Sequence, residues 1–182
     1  MPKAIPYANI LDVLYHVRHL FADKAFHIFG VGGTSTLHLA ALLDTDSVDS
    51  SGWRNRAARG IVQLPGRGDR GIMQLGSWNV RAPSSEEMEE LEQCHCPACQ
   101  EYGIGGLAAR GVHGSSCRAT HNLWVLLEEA RNIEAHLKDG TYPEWYKQHL
   151  NNSIYKPLVD KLVELMQLEK QQTNAIPPGA VG

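Results

Sequence analysis

Hydrophobic residues recur at three- and four-residue steps along the first segment of the chain. From Tyr7 to Ala22 this spacing predicts an amphipathic helix with one buried face. The residues of that face are Ile10, Leu11, Val13, Leu14, Val17, Leu20 and Phe21. The apolar run from Phe26 to Val31 then stops at Gly32 and Gly33, which is typical of a buried strand that ends in a turn.

The same alternation continues through residue 49. Thr34 or Ser35 is predicted to cap a second helix. Its inward positions are Leu37, Ala40, Ala41 and Leu43. The segment from Asp44 to Asp49 predicts another short strand. The order helix, strand, helix, strand indicates parallel α/β units, whose ligand sites lie at the carboxyl ends of the strands.

The middle of the chain is less regular. Short strands are predicted at Ile61–Leu64 and Ile72–Leu75, within a segment rich in glycine and arginine. Ser84, followed three residues later by Glu87, forms a capping box that predicts a short acidic helix.

The strongest helical pattern runs from Thr120 to about Asp139 and ends at Gly140. Its predicted inward face consists of Leu123, Leu126, Leu127, Ala130, Ile133 and Leu137. Another amphipathic helix is predicted from Tyr155 to Leu168. The expected organisation is therefore a strand-containing part at 1–76, a cysteine-bearing subdomain at 77–121, C-terminal helices at 122–170 and a disordered Pro- and Gly-rich tail at 171–182.

Three cysteines, Cys94, Cys96 and Cys99, lie within six residues. The turn that Pro97 and Ala98 allow would let their thiolates bind one tetrahedral zinc ion. Redox-active or buried thiols are the alternative, although cysteines this close are poorly placed to pair with one another. The spacing leaves four candidates for the remaining ligand, namely His95, His113, Cys117 and His121.

Composition limits the classes of function only loosely. The 182 residues suffice for one core, or for one core and a small satellite, and the formal charge of −3 excludes a globally basic nucleic-acid binder. The chain shows no apolar run long enough to span a bilayer and no charged-then-apolar leader, so we expect a cytoplasmic protein without a membrane partner.

Two groups of charged residues could carry chemistry. Asp44, Asp46 and Asp49 lie near the end of the second predicted strand, where a carboxylate can act as a nucleophile or simply terminate a strand and cap a helix. The arginines could bind phosphates or form a solvated loop. They are Arg54, Arg56, Arg59, Arg67 and Arg70.

The order of the motifs resembles the C-terminal half of the tRNA-guanine transglycosylases, over about residues 7 to 165. The matching motifs are Phe29-Gly30-Val31-Gly32, Asp46-Ser47-Val48-Asp49-Ser50, Cys94-x-Cys96-x-x-Cys99 and His121-Asn122-Leu123. That family is a TIM (β/α)8 barrel which exchanges guanine for a 7-deazaguanine in nucleic acid. The resemblance implies that the two predicted strands are the seventh and eighth of such a barrel, followed by a zinc-binding subdomain and C-terminal helices.

The resemblance also implies roles for individual residues. Asp49 matches the nucleophile that attacks the ribose C1′ and holds the sugar covalently, and Asp46 matches the aspartate three residues before it. Phe29 falls where the family packs a residue on the bound base, beside Gly30 and Gly32 of the same motif. The implied zinc ligands are Cys94, Cys96, Cys99 and His121. Independently of the resemblance, Arg54, Arg56 and Arg59 of the arginine group above are candidates for contacts with the phosphates of a nucleic acid.

Two departures from the family shape the functional hypothesis. Many members that modify tRNA follow the nucleophile with Pro-Thr-Arg, whereas this chain has Ser50-Ser51-Gly52-Trp53-Arg54, which is closer to the branch that inserts 7-deazaguanines into DNA. The six preceding strands of the barrel are absent, and with them the second catalytic aspartate. The hypotheses are a nucleophile-bearing half completed by a partner chain or another copy, a non-catalytic zinc-binding subunit, and an inactive fragment.

Overall fold

The computed structural model describes residues 4–75, 79–151 and 153–175, which form a mixed α/β structure that is mostly helical. The helices are α1 Ala4–Leu20, α2 Thr34–Leu42, α3 Gly52–Ala58, α4 Ser85–Glu92, α5 Pro97–Ala108, α6 Gly111–Lys138, α7 Tyr142–His149 and α8 Lys156–Ala175. The strands are β1 His27–Phe29, β2 Ser47–Asp49, β3 Ile61–Leu64 and β4 Gly68–Gly71.

Strands β1 and β2 form a parallel pair, as the alternation of helices and strands predicts. His27 lies opposite Ser47 and Phe29 lies opposite Asp49. Because side chains alternate along a strand, these four residues share one face, and Ile28 with Val48 occupies the other. Ile28 belongs to the core and Val48 packs against it, whereas the first face is exposed.

Strands β3 and β4 form an antiparallel hairpin in which Ile61 lies opposite Gly71. The prediction for β3 is therefore confirmed, but the strand predicted at Ile72–Leu75 is wrong. The pairing already ends at Gly71, where the chain leaves the hairpin because its amide donates to the carbonyl of Arg81. The amide of Ile72 then bonds back to Gly60 at the base of the hairpin.

The helical pattern of α1 locates the helix correctly but not its buried face. Leu11 is 3% exposed and packs in the core, whereas Val13 is 62% and Leu20 77% exposed. The other exposed members of the predicted face are Ile10 and Phe21. One half of the predicted apolar face therefore lacks cover within the part of the chain that the structure describes.

Neither predicted capping residue caps α2. The N-cap is Gly33, whose amide donates to the Thr36 hydroxyl at 2.9 Å. The hydroxyls of Thr34 and Ser35 instead donate to the carbonyls of Leu64 and Gly66 in the hairpin. These hydroxyls attach α2 to the hairpin. They therefore form tertiary contacts instead of capping their own helix.

The helices after residue 50 differ from the prediction in extent. Helices α3, α5 and α7 lie in segments for which no helix is predicted above. Helix α6 begins at Gly111 rather than Thr120, so the expected boundary between residues 121 and 122 falls inside one helix. Helix α8 continues through residues 171–175 of the expected disordered tail, and the rest of that tail lies outside the described residues.

Two clusters of buried side chains form the core. The larger one joins α1 and α2 to α7 and α8 through residues such as Leu42, Tyr142 and Leu162. The smaller one joins the hairpin to α4, α5 and α6 and contains Cys96, Cys99 and Cys117. Within the described ranges, no helix has the length and apolar character needed to cross a membrane.

Candidate functional site

The smaller core cluster contains a group of side chains that could hold one metal ion. The sulfurs of Cys94, Cys96 and Cys99 and the Nδ1 atom of His121 all lie within 4.8 Å of one another. Cys96 is the N-cap of α5 and Cys99 lies in its first turn, while His121 comes from the middle of α6. Three of the four are buried, and only Cys94 is partly exposed.

The spacing within this Cys3His cluster fits tetrahedral coordination. His121 Nδ1 lies 3.5 Å from the sulfurs of Cys94 and Cys99 and 3.7 Å from that of Cys96. A tetrahedral zinc ion with Zn–S bonds of about 2.3 Å and a Zn–N bond of about 2.0 Å would separate sulfur and nitrogen by roughly 3.6 Å. The sulfur-to-nitrogen distances therefore match those around a central tetrahedral ion.

The orientation of the His121 ring leaves the correct nitrogen for a metal. Its Nε2 lies 3.0 Å from the carbonyl oxygen of Gln63 on β3, a buried acceptor to which it donates. The proton therefore resides on Nε2, and the Nδ1 lone pair points toward the sulfurs. The neighbouring Asn122 strengthens the same contact, because its Oδ1 accepts from the Gln63 amide at 2.7 Å.

The electrostatics of the Cys3His cluster favour a cation at its centre. Hydrogen bonds from Cys96 and Cys99 lower the pKa of the Cys94 thiol, whereas contacts with Cys94 and Cys96 raise the pKa of Cys99. The negative charge of the Cys94 thiolate thus makes ionisation of the Cys99 thiol less favourable. A divalent cation would relieve this repulsion, since it binds thiolates.

The other three candidates for the fourth ligand lie elsewhere. His95 is exposed between two of the cysteines. Cys117 is 4% exposed, and its sulfur lies 3.8 Å from Nε2 of His113 on the same helix. None of the three belongs to the group of atoms around His121 Nδ1 in the described structure.

A second group, His38, Glu129 and His149, is also close enough to be considered for a metal. Its distances indicate hydrogen bonds instead. Glu129 Oε1 lies 2.8 Å from His38 Nε2 and 2.7 Å from His149 Nε2, while tetrahedral zinc ligands of these types lie roughly 3.3 Å apart. The Tyr142 hydroxyl satisfies His38 Nδ1 at 2.7 Å, and the Gly66 amide donates to Glu129 Oε2 at 3.2 Å.

No local pattern in the sequence predicts this buried hydrogen-bonded network. Burial alone would raise the pKa of Glu129, but the hydrogen bonds from His149 and His38 outweigh it and the net shift is downward. Burial lowers the pKa of His38, which favours its neutral form. The network joins α2, α6, α7 and the β3–β4 turn around one ionised carboxylate.

Phe29 and Asp49 lie side by side at the carboxyl ends of β1 and β2. The residue Phe29 is 81% exposed, and the side chain of Asp49 is 62% exposed. The amide of Gly30, which has a φ of +78°, donates to Asp49 Oδ1 at 3.1 Å. The strand pair therefore presents an open carboxylate beside an open aromatic ring.

Asp46 lies at the opposite end of β2 from Asp49. Its carboxylate accepts a hydrogen bond of 2.7 Å from the amide of Phe26, just before β1. Three residues of extended chain separate the two aspartates by about 10 Å. The structure therefore does not bring Asp46 to the edge that carries Phe29 and Asp49.

The glycine-rich loop after β1 packs against the loop after β2. A Cβ atom on Gly32 would lie 2.1 Å from the Ser50 side chain, so this close approach requires glycine. Arg56 on α3 joins the Gly32 loop to the hairpin, since its guanidinium donates to the Gly32 carbonyl at 3.3 Å and to Asp69 on β4 at 2.7 Å. Arg54 is exposed on α3, and Arg59 is the C-cap of that helix.

Comparison with known proteins places these features in one family. The family model for queuine tRNA-ribosyltransferase matches residues 3–154. Among the similar proteins is a tRNA-guanine(15) transglycosylase from Haloferax volcanii, 30% identical over 148 residues, which is 79% of this chain and 25% of that protein. Another of the same name, from Pyrococcus abyssi, is 25% identical over 182 residues, covering 92% of this chain and 27% of that protein.

A third relative named tRNA-guanine(15) transglycosylase, from Methanococcus aeolicus, is 28% identical over 138 residues, which is 74% of this chain and 19% of that protein. The chain thus spans about a fifth to a quarter of the length of these relatives. The family match covers both the strand pair with Asp49 and the Cys3His cluster. This chain belongs to the queuine tRNA-ribosyltransferase family, the tRNA-guanine transglycosylases.

Proposed function

We propose that this chain is the nucleophile-bearing part of a base-exchange transglycosylase, a pentosyltransferase that replaces guanine in nucleic acid with a 7-deazaguanine. The observation that carries the proposal is the exposed pair of Phe29 and Asp49, in register at the carboxyl ends of two parallel strands. Ligand sites of parallel α/β folds lie at that edge. In this proposal β1 and β2 are the last two strands of a TIM barrel.

Asp49 supplies the nucleophile. One carboxylate oxygen forms a bond to the ribose C1′ while the bond from C1′ to guanine N9 breaks, and the electron pair leaves with the base. The incoming base then attacks C1′ and releases Asp49, and the proton that the entering base gives up balances the one that guanine gains. Phe29 stacks on the base, a contact that its exposed ring allows.

We propose tRNA as the acceptor because the similar proteins are named as enzymes acting on tRNA. DNA is the second candidate, favoured by the replacement of Pro-Thr-Arg after the nucleophile with Ser50-Ser51-Gly52-Trp53-Arg54. Arg54 on α3 and Arg59, the C-cap of that helix, are proposed phosphate contacts. Arg56 acts instead by holding the Gly32 loop, consistent with its bonds to Gly32 and Asp69.

The Cys3His cluster binds one zinc ion with a structural role. Four protein ligands leave no open coordination position for a substrate, which distinguishes structural from catalytic zinc. The ligands would be Cys94, Cys96 and Cys99 with His121, fitting the sulfur-to-nitrogen distances of 3.5 to 3.7 Å. A zinc ion held by these residues would fix α5 against α6, and the bond from His121 to Gln63 attaches α6 to β3.

A complete barrel requires further strands beyond β1 and β2, and we propose a partner polypeptide or another copy as one source of them. In the described residues β1 and β2 pair only with each other, which leaves both outer edges open. The apolar side chains of α1 at Ile10, Val13 and Leu20 are more than half exposed and would be covered by the added units. A non-catalytic zinc-binding subunit would also cover these α1 side chains on binding its partner, but it would not require the nucleophile Asp49.

Trapping the covalent intermediate tests the proposal. The chain, with its complementing polypeptide where one is needed, is incubated with a tRNA or DNA oligomer and labelled guanine. Label incorporation and a protein–nucleic acid adduct are expected, and Asp49→Ala should abolish both while Asp46→Asn leaves the adduct measurable. Incorporation that survives Asp49→Ala would exclude Asp49 as the nucleophile. Docking without any adduct would identify a non-catalytic subunit.

A further inference from the structure

His27 lies on the exposed face of β1, beside both residues of the proposed catalytic edge. Its Nε2 is 3.6 Å from Asp49 Oδ1, and its Nδ1 is 2.8 Å from the hydroxyl oxygen of Ser47. The ring also meets Phe29 edge to face, with 4.4 Å between the ring centroids. The parallel register, with His27 opposite Ser47, places the imidazole across the face of β2.

The Asp49 carboxylate determines which nitrogen of His27 carries a proton. A lone pair on Nε2 would face the Asp49 carboxylate, which is electrostatically unfavourable. An N–H on Nε2 is attracted to it. The Ser47 hydroxyl then donates to Nδ1 of a neutral ring or accepts from Nδ1 of a charged one. In both states His27 directs a positive N–H dipole at Asp49, although 3.6 Å is longer than a hydrogen bond.

The two oxygens of Asp49 therefore have different surroundings. Oδ1 accepts from the Gly30 amide at 3.1 Å and faces His27 Nε2. The hydrogen bond from Gly30 and the electrostatic attraction of the His27 N–H both act on Oδ1, so they restrict the rotation of the carboxylate and leave Oδ2 for bond formation. A nucleophile fixed in one orientation loses less entropy on reaching the transition state.

We propose that His27 is a positioning residue that holds Asp49 Oδ1 and thereby presents Oδ2 to the ribose C1′. This inference rests on the proposed function, since it assigns a role to the contact between His27 and the proposed nucleophile. Ser47 supports it by fixing the orientation of the imidazole, and Phe29 packs against the ring edge. The role requires a side-chain donor at position 27, which distinguishes it from simple packing.

The contact itself can be tested without any turnover. In the chain labelled with nitrogen-15, the imidazole resonances of His27 are identified by their loss in His27→Gln. At a fixed pH, Asp49→Asn should shift the His27 Nε2 resonance and Ser47→Ala should shift the Nδ1 resonance. His16, exposed on α1, is the internal reference and should not move. A His27 Nε2 resonance unchanged by Asp49→Asn would overturn the proposed contact.

Kinetics of base exchange then separate positioning from packing. His27→Phe keeps a ring against Phe29 but has no donor, and we expect kcat to fall about tenfold to a hundredfold with little change in KM. His27→Gln restores a donor and should recover most of that loss. The matched control His16→Phe should leave kcat unchanged. Equal losses in His27→Gln and His27→Phe, or a change confined to KM, would contradict a positioning role.

The experiments distinguish a failure of the proposed base exchange from a failure of the His27 role. If the wild-type chain with its complementing polypeptide performs no base exchange and forms no adduct, the proposed function is wrong, whatever the resonances show. If exchange requires Asp49 but is indifferent to His27→Phe, the proposed function stands and the role of His27 is wrong.

Discussion

The ring of His121 donates from Nε2 to the carbonyl oxygen of Gln63 at 3.0 Å. This contact links the Cys3His cluster to β3, because it fixes the tautomer that turns Nδ1 toward the three sulfurs. Asn122, the next residue, pairs with the amide of the same Gln63 at 2.7 Å. Helix α6 therefore satisfies both backbone groups of one strand residue through two consecutive side chains.

The first prediction concerns the metal. Purified protein should contain one zinc ion per chain, and Cys96→Ser should lose it, because three ligands bind a structural ion much more weakly than four. Mass spectrometry under native conditions measures the metal content. Chelation should unfold at least the segment from residue 79 to residue 121, seen as loss of amide protection in hydrogen exchange.

Cys117 provides the matched control for the metal. It is buried, as Cys96 and Cys99 are, but lies outside the group around His121. Cys117→Ser should retain the full metal content even if it reduces stability. A well-folded protein free of metal would contradict the zinc assignment.

The second prediction concerns Asn122, whose side-chain amide donates to the carbonyls of Trp53 and Ile61 and accepts from Gln63. Asn122→Ala should lower the free energy of unfolding by about 2 to 4 kcal/mol, because it leaves buried backbone groups without partners. Urea denaturation measures the change. Asn55→Ala, at an exposed site on α3, should cost less than about 1 kcal/mol. Similar losses in both variants would refute the role of Asn122.

The third prediction concerns pH. Hydrogen bonds from Arg70 lead the interactions that lower the pKa of Glu87 from 4.5 to about 2, and Arg81 and the Ser84 amide contribute. Because the pKa is lower in the folded state, the stabilisation is complete above about pH 5 and disappears as the pH falls toward 2. The shift corresponds to at most about 3 kcal/mol.

Comparison of Glu87→Gln with wild type tests this dependence. At pH 7 the variant should be less stable by about 3 kcal/mol, because Arg70 is buried and loses its counter-charge. The difference between the two proteins in urea denaturation should shrink between about pH 5 and pH 3. Glu86→Gln, whose carboxylate is 77% exposed, is the control and should show little difference at either pH. A constant difference for Glu87→Gln would rule out the coupling.

The fourth prediction concerns the network around Glu129. In Glu129→Gln the new amide nitrogen must face either the Gly66 amide or the two imidazole donors, so one donor meets another. Thermal and urea unfolding should show a loss of about 2 kcal/mol or more. Glu128→Gln, one residue away and partly exposed, should change stability little. Because the distances indicate hydrogen bonds, the zinc content should remain one per chain, and a drop in metal content would contradict the metal-free assignment.

Helix α6 shows where the hydrophobic pattern misleads. The predicted inward face is only partly buried, since Leu126 and Ile133 are inside but Leu123 is 38% and Leu127 48% exposed. The buried stripe instead includes polar residues of the same helix, namely Arg118, His121, Asn122 and Glu129. Their partners come from β3, α3, α2 and the hairpin turn, which are distant in sequence.

The sequence by itself determined the parallel strand order, the capping box at Ser84 and the set of three cysteines, because strand period, helix caps and ligand spacing depend on near neighbours. It also indicated the family through the order of its motifs. Residues without such local signatures, among them His27 and Glu129, could not be assigned from the sequence.

Only the tertiary structure decided which side chains meet. It brought His121 to the cysteines, separated Asp46 from Asp49 and placed His27 beside Asp49. It also exposed half of the predicted face of α1. Burial and hydrogen bonding between distant segments depend on how the helices and strands pack, and spacing along one segment carries no information about the partner that lies across the core.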